Sequence, residues 1–221
     1  MVPMVTDGLN PFTLLAFLGG VLAAGALAVT YVAARIAGRQ PLARIALIVG
    51  AAGAGAYVLV FAIASLASRD RVLATGEEKH ICEIDCHLAY SVVGAKTESN
   101  PAGGSRYTVT VKVRFDEETV SSRRPKDATL SPNSRYVALL DSAGNYYPGS
   151  AEGLKRRLIP GESYATDIVF DLPAAMTNVQ LVLRNADFET HFLIGHENSI
   201  GHGKTTFALA SFTRRSTTFW I

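Results

Sequence analysis

The sequence predicts a mixed membrane and all-β fold, in which a two-helix transmembrane hairpin is followed by an antiparallel β-sandwich. Three observations carry this. Two uncharged apolar runs, 12–34 and 45–67, are each 23 residues long. Residues 1–68 hold only four charges, Asp7, Arg35, Arg39 and Arg44, whereas the rest holds 18 Lys+Arg and 18 Asp+Glu. Beyond residue 80, apolar and polar side chains alternate with period two over several short stretches.

A membrane span needs about 20 apolar residues at 1.5 Å rise each, so both runs are long enough with some tilt. A cleaved signal peptide begins with positive charge and has a shorter apolar core. Here the only charge before the first run is Asp7, and a second equal run follows within ten residues. Two true spans are therefore expected. The connection Arg35-Ile-Ala-Gly-Arg-Gln-Pro-Leu-Ala-Arg44 has three arginines and no acid. The positive-inside rule places this loop in the cytoplasm and both ends outside, giving a two-pass protein of the cell membrane with its C-terminal domain extracytoplasmic. Small residues recur four apart: Ala46, Gly50 and Ala54; Ala51 and Gly55; Ala16 and Gly20; Ala24 and Ala28. Such faces let helices approach closely in lipid, so a packed hairpin is expected. Neither run contains an Asp, Glu, Lys, Arg or His, which argues against an ion pathway through this chain alone.

Residues 69–79 are expected as a linker and 80–221 as the β domain, with a core of its own from about residue 76 onward. In 106–115, Tyr107, Val109, Val111, Val113 and Phe115 share one face, and Thr108, Thr110, Lys112 and Arg114 the other. That is a half-buried strand. Further strands are expected at 136–141, 145–147, 163–171, 179–184, 191–194 and 204–212. Turn signals separate them: Asn100-Pro101 with Gly103-Gly104, Ser142-Ala-Gly-Asn145, Pro148-Gly149 and Pro160-Gly161. Seven or eight short strands at this spacing read as an antiparallel sandwich of immunoglobulin-like size.

The stretches Leu158-Ile-Pro-Gly-Glu162, Ile168-Val-Phe-Asp-Leu-Pro173, Leu193-Ile-Gly-His-Glu-Asn-Ser199 and Phe207-Ala-Leu209 resemble bacterial extracytoplasmic immunoglobulin-like domains of unknown function. The resemblance covers residues 80–212. It implies an immunoglobulin-like sandwich attached to a membrane or lipid anchor, and it brings no catalytic residues.

All five histidines and both cysteines fall in the expected β domain. In His80-Ile-Cys-Glu-Ile-Asp-Cys-His87, thiolate and imidazole suit zinc or copper, with Cys82, Cys86, His87, His196 and His202 as the ligand set. The spacing between the cysteines is not that of a standard zinc knuckle. Read as a strand, Cys82, Ile84, Cys86, Leu88 and Tyr90 share an apolar face, and Glu83, Asp85 and His87 a polar one. Four residues of extended chain span about 13 Å, and a disulfide needs Cα atoms within about 7 Å. The strand reading therefore expects two separate buried thiols, and a disulfide requires a break at 84–85.

Gly201-His-Gly-Lys-Thr205 is not a phosphate loop, because Asn198 stands where the first glycine belongs. Arg123-Arg-Pro-Lys126 and Lys155-Arg-Arg157 suit anionic headgroups or a wall polymer, or form solvated faces. Residues 213–221, with Phe219 and Trp220, suit either the bilayer interface or a final strand. The domain's zero formal charge gives no case for nucleic acid. No nucleophile–base order or paired-carboxylate spacing stands out. The expected function is a non-catalytic, cofactor-free binding or assembly module held in the lipid bilayer, with another membrane or envelope protein as partner. The alternative is a zinc- or copper-binding or redox-active envelope protein using the five residues named above.

Overall fold

The computed structural model describes residues 5–8, 11–82, 86–99, 104–121, 123–172, 176, 178–186 and 191–209. These divide into two compact units. One comprises the helices up to Arg69 together with 191–203, and the other comprises 5–8, the described residues of 70–186, and 204–209.

In the helical unit, α1 runs Pro11–Ile36 and α2 runs Gln40–Ala67. Gly38 makes the reversal at φ +71°, a conformation glycine adopts without strain, and Arg39 N–H bonds the Ala34 carbonyl at 2.8 Å. Proline in the first turn of α2 costs no helical bond. The turn is thus shorter than the ten-residue loop expected, because arginines at both flanks are already helical. Ala34, Ala43 and Ala46 are buried where the helices meet. Elsewhere both helices carry exposed large apolar side chains along their length, including Leu22, Ile48 and Leu59. Both have mean hydropathy 2.2 and are long and apolar enough to cross a membrane.

The other unit contains β1 (Val5–Gly8), β2 (Arg71–Leu73), β3 (Lys79–Cys82), β4 (Leu88–Ser99), β5 (Ser105–Phe115), β6 (Arg135–Leu140), β7 (Tyr146–Pro148), β8 (Ser163–Leu172), β9 (Gln180–Asn185) and β10 (Thr205–Ala208). They form two five-stranded sheets, β1-β3-β4-β5-β8 and β2-β10-β9-β6-β7. Pairing is antiparallel except for β1 with β3 and β2 with β10, which are parallel. The expectation of a wholly antiparallel sandwich is corrected there. Parallel neighbours need a long crossover, and the helical hairpin lies in the chain between β1 and β3. Residues 69–79, expected as a linker, contain β2 and open β3.

Alternation dictates the core. Tyr107, Val109, Val111, Val113 and Phe115 of β5 are buried, as their parity predicts, against Ile168, Phe170 and Leu172 of β8. Val137 and Leu139, Leu181 and Leu183, Leu73 and Phe207 close the same cluster from the second sheet. Lys79 breaks the apolar pattern. It is 0% exposed, and its ammonium donates to the carbonyls of Leu183 at 2.8 Å and Thr205 at 3.2 Å. Those carbonyls lie just beyond the last paired residues of β9 and β10, so Lys79 ties the splayed end of that ladder.

The turn chemistry also holds. In the β6–β7 turn, Asp141 accepts N–H bonds from Ala143 and Asn145, the Asn145 amide, and the Tyr147 hydroxyl. The bonds from Asn145 hold its carboxyl below the usual range despite some desolvation. Gly149 is required by packing, since a Cβ there would lie 2.3 Å from the Phe170 ring.

Two expected strands are not formed. Residues 191–194 belong to a series of tight turns, with Gly195 at φ +84° and His196 N–H bonding the Leu193 carbonyl. The strand read through 82–90 is in fact two strands, β3 and β4, paired Ile81 with Leu88 and Lys79 with Tyr90. The turn signals at 100–103, residues 210–212 of the last expected strand, and 213–221 lie outside the described residues.

Candidate functional site

The β3–β4 pair, with β5 beside it, organises a polar cluster of the sheet unit. Lys79 and Ile81 face the core, so His80 takes the opposite face of β3. Register places Ala89 beside it and Arg114 beyond Ala89. The small alanine leaves room for side chains to meet. His80 Nε2 lies 2.9 Å from Asp116 Oδ2. The Arg114 guanidinium grips Glu78 through two bonds, at 2.9 and 2.7 Å, and reaches Asp116 at 3.1 Å. Asp116 Oδ1 accepts the Glu118 N–H, starting the 3₁₀ turn Glu117–Thr119.

The electrostatics follow from this geometry. The hydrogen bond from Arg114 holds the Glu78 carboxyl below its ordinary range. Burial pushes Asp116 up, but bonds from His80, Arg114 and the Glu118 N–H outweigh it and the carboxyl is held low. Arg114 is held firmly protonated by Glu78. His80 Nε2 thus donates to a carboxylate. Its Nδ1 is buried and meets no partner, so among the described residues no hydroxyl or thiol completes a nucleophile–histidine–carboxylate arrangement.

His87 lies beside this cluster. Its ring stacks on Phe115 with centroids 5.5 Å apart, and its Nδ1 is 2.7 Å from Thr119 Oγ1. The Thr119 hydroxyl donates its one proton to the Asp116 carbonyl, so His87 Nδ1 is the donor of the pair. A cleft of about 340 Å³ opens nearby, lined by Glu117, Val120, Ser121, Arg124, Lys126 and Pro160. Half of the basic run 123–126 therefore lines a concave surface. The other run is engaged locally: Lys155 pairs with Glu152 at 2.6 Å and Arg156 lies over the Tyr164 ring.

Cys82 and Cys86 form a disulfide with Cα atoms 4.1 Å apart. This corrects the expectation of two separate buried thiols. The strand ends at Cys82, so the extended-chain distance does not apply, and the bond closes the β3–β4 connection. Asn185 Nδ2 donates to the Cys82 carbonyl, and its Oδ1 accepts from Arg135, which also bonds the Tyr90 hydroxyl. The two sulfurs are not thiolate ligands. Among the described residues no three His, Cys, Asp or Glu side chains converge as a metal group.

His196 and His202 belong to the helical unit. His196 Nδ1 accepts the Asn198 N–H at 3.0 Å. His202 Nδ1 lies 3.1 Å from Ser65 Oγ of α2, and its ring sits 6.4 Å from that of Phe61. His196 and His202 thus belong to one unit, and Cys82, Cys86 and His87 to the other. Sequence reasoning missed Glu78, His80, Arg114 and Asp116, whose only local sign is an aspartate directly after an alternating strand. It also missed Tyr57 and Ser65, polar residues in an apolar helix.

The disulfide closes a loop of about five residues, worth roughly 2 kcal/mol in chain entropy. Replacing both cysteines with serine is expected to destabilise by about that amount. Intact mass after alkylation should show no labelling of the unfolded chain without reductant. Two labelled thiols would restore the unbroken strand.

No protein-family model matches the sequence, and no curated protein matches it. Among solved structures, the chain is similar to the 1.5 Å crystal structure of MPT63, a secreted protein from Mycobacterium tuberculosis. Identity is 12%, the match covers 64% of this chain and 99% of that chain, and the TM-score is 0.42.

Proposed function

We infer that this protein is a membrane-anchored, extracytoplasmic binding or assembly module whose sheet unit is an immunoglobulin-like sandwich. The observation that carries the reading is the disulfide between Cys82 and Cys86 in a chain that also holds two bare apolar helices. Disulfides persist in oxidising compartments. Two long helices with many large apolar side chains exposed need lipid or another protein against them. Arg35, Arg39 and Arg44 at the helical turn favour the cytoplasm for that end, which agrees with an oxidised sheet unit on the other side.

The assembly part of the reading is supported by the helical hairpin. Between α1 and α2 runs an apolar groove of about 390 Å³, lined by Gly20, Ala24, Gly50, Gly53 and Ala54 among others. Small residues of this kind admit a third helix at close range. The partner in this reading is another membrane or envelope protein, with no cofactor and no reaction catalysed.

Protease added to spheroplasts is expected to digest the sheet unit while the 35–44 turn stays protected. Protection of the sheet unit in intact cells, lost only on lysis, overturns the topology. Co-purification of a second membrane protein in mild detergent is the expected sign of assembly.

A further inference from the structure

The segment 191–203 is built inside out. Five of its six polar side chains are buried: His196 is 1% exposed, Glu197 6%, Asn198 3%, Ser199 0% and His202 9%, with His191 half-buried. Phe192 and Ile200 stand on the surface at 43% and 61%, while Leu193 is buried. A loop facing water arranges these classes the other way. Part of its backbone is satisfied from within: the N–H groups of His196, Ser199, Ile200 and His202 bond the carbonyls of Leu193, His196, His191 and Ser199. The Ser199 hydroxyl also donates to the Leu193 carbonyl. Helix α2 supplies further partners. The Tyr57 hydroxyl donates to the Phe192 carbonyl, Ser65 Oγ donates to the Ile200 carbonyl at 3.0 Å, and Ser68 Oγ accepts the Gly203 N–H. Internal satisfaction is what non-helical backbone requires at membrane depth.

The contacts on α2 fix where this segment lies. At 1.5 Å per residue, a helix of 28 residues is about 42 Å long, longer than a hydrocarbon layer of about 30 Å. Arg35, Arg39 and Arg44 hold the helical turn near one headgroup layer. Counting about 20 residues from there puts the other edge of the hydrocarbon near positions 60–64. Tyr57, Phe61 and Ser65 straddle that edge, and aromatic residues favour such a boundary.

We propose that residues 191–203 form a membrane-interface segment that places Phe192 and Ile200 among the lipid acyl chains around the C-terminal end of α2. Phe192, bonded to Tyr57, lies deeper than Ile200, bonded to Ser65. The inference rests on reading α1 and α2 as membrane spans. The segment's apolar surface adds to the anchor and fixes the chain's depth at the boundary, with its apolar face about 5–10 Å into the interface.

The test uses the full chain in phosphatidylcholine vesicles, with Trp220→Phe removing the native indole. Phe192→Trp and Ile200→Trp report on the segment, and Leu22→Trp, at an exposed position near the middle of α1, reports on the span. Both segment indoles are expected to shift to shorter wavelength and lose most of their emission with lipid brominated near the glycerol end. Lipid brominated near the methyl end should quench Leu22→Trp best, then Phe192→Trp, and Ile200→Trp least. The proposal is overturned if neither segment variant is quenched while Leu22→Trp is. If Leu22→Trp also escapes quenching, the membrane reading itself fails and the proposal falls with it.

Discussion

Replacing Asp116 with alanine is expected to cost about 3–5 kcal/mol, the range for removing one partner of a buried charge pair. Asp116 is 4% exposed and is bonded by His80, Arg114 and the Glu118 N–H. Its loss strips the 3₁₀ turn of its cap and leaves His80 buried beside an apolar methyl. Asp116→Asn keeps an acceptor in place and should cost less. The pH dependence gives a second readout. The Asp116 and Glu78 carboxyls are held low in the folded chain, so the unfolded chain binds protons first as pH falls. Stability is full above the ordinary carboxylate range and declines on acidification below about pH 4. Asp116→Asn should flatten that decline. Thermal unfolding of the full chain in mild detergent, followed from pH 7 to pH 3, measures both effects. An Asp116→Ala protein as stable as its parent would mean that the cluster is not formed.

Phe207→Ala is expected to be as severe, at about 3–5 kcal/mol for a buried aromatic ring. Phe207 is 0% exposed and packs in the common core from β10. The ring also sits where β10 pairs on both sides, with Leu73 of β2 and Leu181 of β9. A fall in melting temperature of roughly 10 °C is expected. A shift of about 2 °C or less would mean that β10 does not complete the second sheet. Val169→Ala, at a β8 position 48% exposed, serves as the neutral control.

What the sequence disclosed was local. The helices announced themselves by length and hydropathy, and β5 by an alternation that its burial reproduces residue for residue. The turns at Asp141 and Pro160-Gly161 followed from side-chain chemistry within a few residues. What it concealed was non-local. Period two cannot tell one strand from two antiparallel strands whose paired residues share a face, so β3 and β4 read as one and the disulfide was misjudged. The strands β1 and β2 span four and three residues, too few for any period to show. As a result Leu73, a core residue, fell in the expected linker, and a domain beginning near Thr75 would lack it. The polar cluster depends on a register that brings residue 80 beside 114 and 116. His87 meets Thr119 by the same register, and no spacing rule states either.

The placement of β1 and β2 on either side of the helical hairpin has a consequence for biosynthesis. β2 leaves the ribosome well before its parallel partner β10, with more than a hundred residues between them. At about 5–20 residues per second this interval is on the order of ten seconds. Throughout it, the second sheet lacks the strand that joins β2 to β9. If the helices span the membrane as proposed, their insertion can be finished while the sheet unit is still incomplete. Contacts this distant in sequence also close slowly. On that reading the nascent chain is anchored first and folded afterwards, and in that interval its unpaired edges are open to a chaperone or to another copy.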